Sequence, residues 1–258
     1  MTCADCVRVV ATLLAAVAWL GTASAQSAAQ RAPVRALSSN GVRAALDELV
    51  PQCERSVGRE LAVEFGTSAS IRQRIAAGEA VDVAFVTSEV IEELAKAGHI
   101  DAASITPLGR AGIGIGTRAG GHRHDLGTAG ELKQALVAAR SVSYAQDGAS
   151  RVHIERMFER LGIAAEMQAK TRLEQGSVRA AAKVVAGDAE LLLTLVSEIL
   201  PVEGMELLGA LPSEFQSYIN FAAALSTRAT DAGAALDLVA CIASPAATPT
   251  FAAKGIER

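Results

Sequence analysis

Aromatic side chains are scarce in this chain. Its 258 residues include 1 Trp, 2 Tyr and 6 Phe, too few for the stacking platforms that hold single-stranded nucleic acid. A basic excess is missing as well: 24 Lys and Arg are set against 28 Asp and Glu, for a formal net charge of -4. Sequence-independent nucleic-acid binding depends on cations that displace counterions, so a nucleic-acid partner is excluded. Charged residues are 20% and apolar residues 50%, which is neither a disordered nor a coiled-coil composition. The length suffices for one large domain or two small ones with a real core.

Long apolar runs are absent apart from Val9–Leu20. That run is about a dozen residues, short of the roughly 20 that a membrane-spanning helix needs. It follows Arg8 and precedes Ala23-Ser24-Ala25. A charged start, an apolar middle and a small-residue end are the order of an export signal. Residues 1–25 are therefore expected to be a signal peptide, cleaved after Ala25 to leave a soluble periplasmic chain. No Cys stands close after the run, which argues against a lipid anchor.

Cysteine is also sparse, with 4 in all. Cys3 and Cys6 would leave with the signal, so their C-x-x-C spacing is not read as a redox or zinc site. Cys53 and Cys241 remain. An oxidising compartment would let them pair, but both fall on apolar stripes of predicted helices, and free buried thiols are the expected state.

Several familiar catalytic patterns fail on inspection. Gly114-Ile-Gly116-Thr-Arg-Ala119 matches G-x-G-x-x-A, yet its glycines alternate within a strand instead of opening a helix. There is no phosphate-binding G-x-x-x-x-G-K-[ST] loop and no G-x-S-x-G elbow. His122-Arg123-His124 offers two ligands in a Gly-rich stretch, which does not define a metal site, and an exposed loop is expected there. No metal and no cofactor is read from the sequence.

What is present is an alternation of strands and helices. Val34–Leu37 is strand-like, and Val42, Leu46, Leu49 and Cys53 then share one helical face, with Pro51 expected to kink or shorten that helix. Leu61, Val63 and Phe65 alternate as a strand. A helix over 71–77 follows, with Ser70 and Gln73 at capping-box spacing. Residues 82–86 read as a strand and 88–97 as a helix ended by Gly98. This rhythm argues for a mainly parallel sheet with covered faces. Residues 111–116 read as a crossing between regions. Beyond them come a helix opened by Thr128 and Glu131, a strand at 142–145, and helices from Ser150 to Leu161 and from Ser177 to Ala186. Strands at 190–196, 205–208 and 217–225 and a helix over 231–243 complete the pattern.

Hydroxyl residues recur where strands turn into helices: Ser38-Ser39-Asn40, Thr67-Ser68-Ala69-Ser70, Ala149-Ser150-Arg151 and Gly176-Ser177-Val178. Each hydroxyl is an ordinary helix cap by itself. Helix starts also present unpaired N–H groups and a partial positive charge. Several together, with hydroxyl donors, can hold an oxyanion without any cationic side chain. Ser38, Ser39, Thr67, Ser68, Ser150 and Val178 are the candidate ligand-binding residues.

At these residues the sequence resembles the periplasmic molybdate-binding proteins, the solute receptors of ABC importers. Ala36-Leu37-Ser38 and Phe65-Gly66-Thr67-Ser68-Ala69-Ser70 are similar to that family's two ligand-binding turns in its first lobe. Ile75 to Asp82 is similar to its lead into the third strand. Gly148-Ala-Ser150-Arg-Val-His153 with Leu161-Gly162, Ser177-Val178-Arg179, and Ser244-Pro245-Ala246 with Phe251 and Gly255-Ile256 resemble later stretches. The resemblance implies an α/β, two-lobed type II periplasmic-binding-protein architecture with a mixed, mainly parallel sheet in each lobe. Lobe 1 would comprise 32–113 and 217–258, and lobe 2 would comprise 114–216. It further implies hydroxyl contacts from Ser38 and Ser68, backbone contacts near Ser150 and at Val178, and delivery of molybdate or tungstate by a monomer to an inner-membrane permease. Leu195 stands where the family carries a ligand-binding tyrosine. Its loss removes one donor and is expected to leave space that Leu195→Tyr would refill. Thr194, the neighbouring hydroxyl, should point to the opposite face of a strand.

Three alternatives stay open at this point. One is a receptor for an organic anion gripped by Arg72 or Arg151. Another is a periplasmic sensor module. The third is an exported hydrolase with Ser68 or Ser150 as nucleophile, for which no base or oxyanion motif accompanies either serine.

Overall fold

A computed structural model describes residues 32–258. The expected signal peptide, with Cys3 and Cys6, lies outside the described residues. Val34–Arg258 forms one compact unit.

The first half alternates as expected: β1 (Val34–Ser39), α1 (Arg43–Val57), β2 (Leu61–Gly66), α2 (Ser68–Ala76), β3 (Val83–Thr87) and α3 (Ser88–Lys96). A long strand, β4 (Thr106–Arg118), follows. Then come α4 (Ala129–Ala138), β5 (Val142–Ala145), α5 (Arg151–Arg160), α6 (Ala164–Lys170), β6 (Thr171–Glu174) and α7 (Ser177–Val185). The chain ends with β7 (Leu191–Leu195), a short α8 (Val196–Ile199), β8 (Met205–Ala210), β9 (Tyr218–Leu225), α9 (Ala232–Ile242) and α10 (Thr248–Ala253).

The strands run β2-β1-β3-β9-β4-β7-β5-β6, with β8 also paired to β4. β1 is parallel to β2 and β3, and β5 is parallel to β6 and β7. β9 is antiparallel to β3, and β4 is antiparallel to β9, β7 and β8. The result is a mixed α/β sheet with a parallel group on either side of β4. That strand makes the expected crossing: Thr106–Gly112 pairs with β9, and Ile113–Thr117 pairs with β7. Its alternating glycines let α8 lie close, since a Cβ on Gly114 would sit 2.9 Å from Val196 Cγ2. In each parallel group the strands point the same way, so their carboxyl ends and the following helix starts gather at one edge, the usual place for a ligand in an open α/β sheet.

The largest buried cluster includes Leu46, Phe85, Ile113, Leu193, Phe221 and Leu238. A second packs Ile71, Ile75 and Ile91 of α2 and α3 on Leu37 and Val86. Ala180 and Val184 of α7 cover Leu192.

Four expectations need correction. Helix α1 runs through Pro51 to Val57. Leu46, Leu49 and Cys53 are buried on one face, and that burial outweighs the single backbone bond a proline removes. The cap of α2 is Thr67, whose Oγ1 accepts from Ser70 N, so the helix starts at Ser68. The segments α6, β6 and α10 carry too little periodicity to be read from sequence. Finally, Cys53 and Cys241 form a disulfide with Cα atoms 5.7 Å apart. The apolar stripes of α1 and α9 pack against each other, so the positions that favoured burial also bring the sulfurs together.

Candidate functional site

The turns at the strand ends converge on one small cavity of about 20 Å³. Ser39 ends β1, Thr67 and Ser68 follow β2, Gly148, Ala149 and Ser150 precede α5, and Ser177 opens α7; Leu195, Glu198 and Phe221 complete the wall. Of the sequence candidates, Ser39, Thr67, Ser68, Ser150 and Leu195 are brought together here. Ser38 is buried but does not line the cavity, and Val178 is 57% exposed and faces a neighbouring groove. Among the described residues no Lys or Arg lines the cavity, and Glu198 is the one ionisable side chain on its wall.

What each hydroxyl offers depends on where its hydrogen already goes. Ser39 Oγ accepts from Gly41 N at 3.3 Å, and Ser68 Oγ accepts from Thr87 N at 3.2 Å. Both use a lone pair on a backbone N–H and keep an O–H to donate. Ser150 makes no side-chain capping bond. By contrast Ser38 Oγ donates to Ser39 O at 3.2 Å. Thr67 Oγ1 donates to Asp147 Oδ2 at 2.9 Å, and Ser177 Oγ donates to Glu198 Oε1 at 2.8 Å. The uncommitted donors are therefore Ser39, Ser68 and Ser150, with the first N–H groups of α2, α5 and α7 behind them.

Asp147 ties the two parallel groups together. Besides accepting from Thr67, its Oδ1 accepts from Gly176 N at 3.0 Å. Gly176 has φ +76°, a left-handed conformation that glycine adopts without strain and that leads into α7.

Glu198 is half-buried. Its Oε2 accepts from Thr194 Oγ1 and its Oε1 from Ser177. Thr194 thus lies behind the cavity wall, off the lining, as the strand alternation requires. Burial pushes the Glu198 carboxyl above the usual carboxylate range, opposed by the hydrogen bonds from Thr194, Ser177 and the Leu195 backbone.

Leu195 lines the cavity beside Phe221. A Cβ on Gly41 would lie 2.3 Å from Phe221 Cζ and 3.2 Å from Leu195 Cδ1. Phe221, contributed from β9, and Leu195 both approach Gly41, so an aromatic ring stands near Leu195 on the cavity wall.

A larger groove of about 560 Å³ adjoins the cavity, and Ser177 and Glu198 line both. Its walls are α1, with Arg43 and Asp47, and α7, with Val178, Ala181 and Val185. Arg72 and Arg151, the candidate grips for an organic anion, are engaged elsewhere. Arg72 pairs with Glu93 at 2.8 Å and Arg151 with Glu155 at 2.8 Å, and neither lines the cavity or the groove. Among the described residues no group of three or more His, Cys, Asp or Glu is placed to hold a metal. The 122–124 stretch is not wholly exposed: His124 is largely buried, with Nε2 3.9 Å from Glu190 Oε1.

Sequence reasoning missed Glu198, Asp147 and Phe221. Glu198 stands three residues beyond Leu195, where a carboxylate commonly closes a helix start, and that spacing was the available signal. Asp147 and Phe221 reach the site only through tertiary packing.

A profile described as bacterial extracellular solute-binding protein matches residues 34–257. Aconitate isomerase of Pseudomonas sp. is 27% identical over 227 residues, 86% of this chain and 86% of that protein. The Azotobacter vinelandii periplasmic molybdate-binding protein superposes with a TM-score of 0.75 at 16% identity, covering 87% of this chain and 99% of that one. The sulfate-binding protein of Mycobacterium tuberculosis gives 0.66 at 16% identity, over 88% and 86%. At such identities the structural likeness establishes the fold.

Proposed function

Because the chain belongs to the bacterial extracellular solute-binding proteins, we propose that it is the periplasmic receptor of an ABC importer. It binds a small oxyanion of the molybdate or tungstate kind and hands it to an inner-membrane permease. One observation carries this reading: uncommitted hydroxyls at Ser39, Ser68 and Ser150 converge on a cavity without cationic side chains. Such a donor set suits a small anion, whose charge is balanced by dipoles and not by a salt bridge.

In this reading residues 32–113 and 217–258 form one lobe and 114–216 the other. β4 and the segment between β8 and β9 are the two crossings. The Thr67–Asp147 bond then spans the cleft, and an anion in the cavity favours the closed arrangement. The receptor acts as a monomer, exported with cleavage after Ala25. Thermal-shift screening against molybdate, tungstate, sulfate and small carboxylates tests it. A specific ligand raises the midpoint by mass action, and a response to carboxylates alone would refute the oxyanion reading.

A second reading follows from the isomerase relative together with Glu198, a half-buried carboxyl on the wall of a groove large enough for an organic acid. Here the protein would act on an organic anion instead of carrying one. Incubation with aconitate, followed by chromatographic separation of its isomers, separates the two readings. The receptor leaves the isomer ratio unchanged.

A further inference from the structure

We propose that this site captures its anion together with one proton, held on Glu198, and that the Ser177 hydroxyl is the group through which the two are coupled. The inference rests on the receptor reading above and adds to it a proton-linked mode of recognition.

The geometry sets the coupling. With Glu198 ionised, Ser177 Oγ gives its hydrogen to Oε1 at 2.8 Å and turns only lone pairs toward the cavity that both residues line. An incoming anion then meets a carboxylate and a hydroxyl oxygen with no hydrogen to offer. With Glu198 protonated on Oε1, the direction of that bond reverses. The carboxyl O–H donates to Ser177 Oγ, and the Ser177 hydrogen is released to the cavity. Oε2 keeps its bond from Thr194, so the side chain need not move. One negative charge leaves the wall and one donor joins it in the same step. The proton comes from solvent on binding and returns to solvent on release, and the anion itself keeps its composition.

No other charge takes over this role. Of the elements packed against α8, β7 and the turn at Asn40–Val42 carry no ionisable side chain. β4 carries Arg110 and Arg118, β8 carries Glu206, and α7 carries Arg179 and Lys183. The groove brings Arg43, Asp47 and Glu203, and Asp147 lies beside Gly176. The Glu198 carboxyl answers first to its burial and then to hydrogen bonds from Thr194, Ser177 and the Leu195 backbone.

The bound form holds a proton that the free form loses as pH rises. Affinity therefore falls with rising pH above the titration of free Glu198, by up to about tenfold per pH unit. Molybdate is the probe, since it stays a dianion from about pH 6 to about pH 9, and the test is calorimetric titration across that range. Repeating it in two buffers of different ionisation enthalpy counts the protons taken up, with up to about one expected per anion bound. Glu198→Gln, whose amide can donate to Ser177 permanently, should bind molybdate with little pH dependence and no proton uptake. Wild-type binding without proton uptake, or an unchanged pH slope in Glu198→Gln, overturns the inference and leaves the receptor reading standing. No molybdate binding by either protein at any pH overturns both.

Discussion

Breaking the Cys53–Cys241 bridge offers a test whose size can be worked from the structure. The bridge joins α1 to α9 across a sequence separation of 188. Chain-entropy reasoning for a loop of that length gives about 5 kcal/mol at 25 °C. Native-state adjustment and residual structure in the unfolded chain usually reduce such values to about 2–4 kcal/mol. In a protein of this size each kcal/mol moves the midpoint by roughly 2–4 °C. An effective 3 kcal/mol then predicts a loss of roughly 6–12 °C for Cys53→Ser with Cys241→Ser, and the same loss for the oxidised protein treated with reductant. Scanning calorimetry reads the midpoint, and thiol titration in denaturant reads the redox state. The small cavity draws no lining residue from α1 or α9, so anion affinity at 25 °C should change little. Two titratable thiols in the purified, exported protein, with a midpoint indifferent to reductant, would refute the bridge.

Three further outcomes follow from the site. Ser39→Ala and Ser68→Ala should each weaken molybdate binding by about tenfold or more, the cost of one hydrogen bond to a charged ligand. Ser38→Ala, whose hydrogen already serves Ser39 O, should have little effect, and equal losses in all three by calorimetry would contradict the hydroxyl assignment. Asp147→Ala removes the partner of both Thr67 and Gly176, and small-angle scattering should show a more open liganded form with weaker binding; an unchanged profile and affinity would count against the latch. Leu195→Tyr should lower molybdate affinity, because Leu195 and Phe221 wall a cavity of only about 20 Å³ and overpacking costs about 1–3 kcal/mol. Higher affinity in that variant would mean the wall opens readily.

Much of the fold was legible because its signals are local. The strand and helix alternation through Lys96 and the Thr128–Glu131 capping box rest on periodicity and capping chemistry. Where the reading failed, local and tertiary terms pull in different directions. Pro51 is a breaker in isolation, yet α1 is held on both sides of it by buried Leu46, Leu49 and Cys53. Cys53 and Cys241 carry the same apolar-stripe signature whether paired or free, and only the packing of α1 on α9 decides between them. β6 has four residues with largely exposed side chains, which leaves no hydrophobic alternation to detect.

The site divides along a different line. Sequence placed hydroxyls at turns that line the cavity, since a helix start after a strand is a local event. It could not say which of them still has a hydrogen to give, because that depends on partners far away along the chain. Ser68 is fixed by Thr87 and Thr67 by Asp147, 19 and 80 residues distant. Ser177 is fixed by Glu198, 21 residues on. Adjacent Ser38 and Ser39 look equivalent in sequence, yet one donates to the other's carbonyl while the other keeps its hydrogen for the cavity. Leu195 drew attention as a lost donor, while the ionisable side chain on that wall stands three residues further, at Glu198. A leucine makes the wall apolar whatever the pH. In the proton-linked reading, a half-buried carboxyl beside a serine makes the wall donor or acceptor according to whether a proton is present, so the identity of residue 198 bears more directly on anion capture than the identity of residue 195.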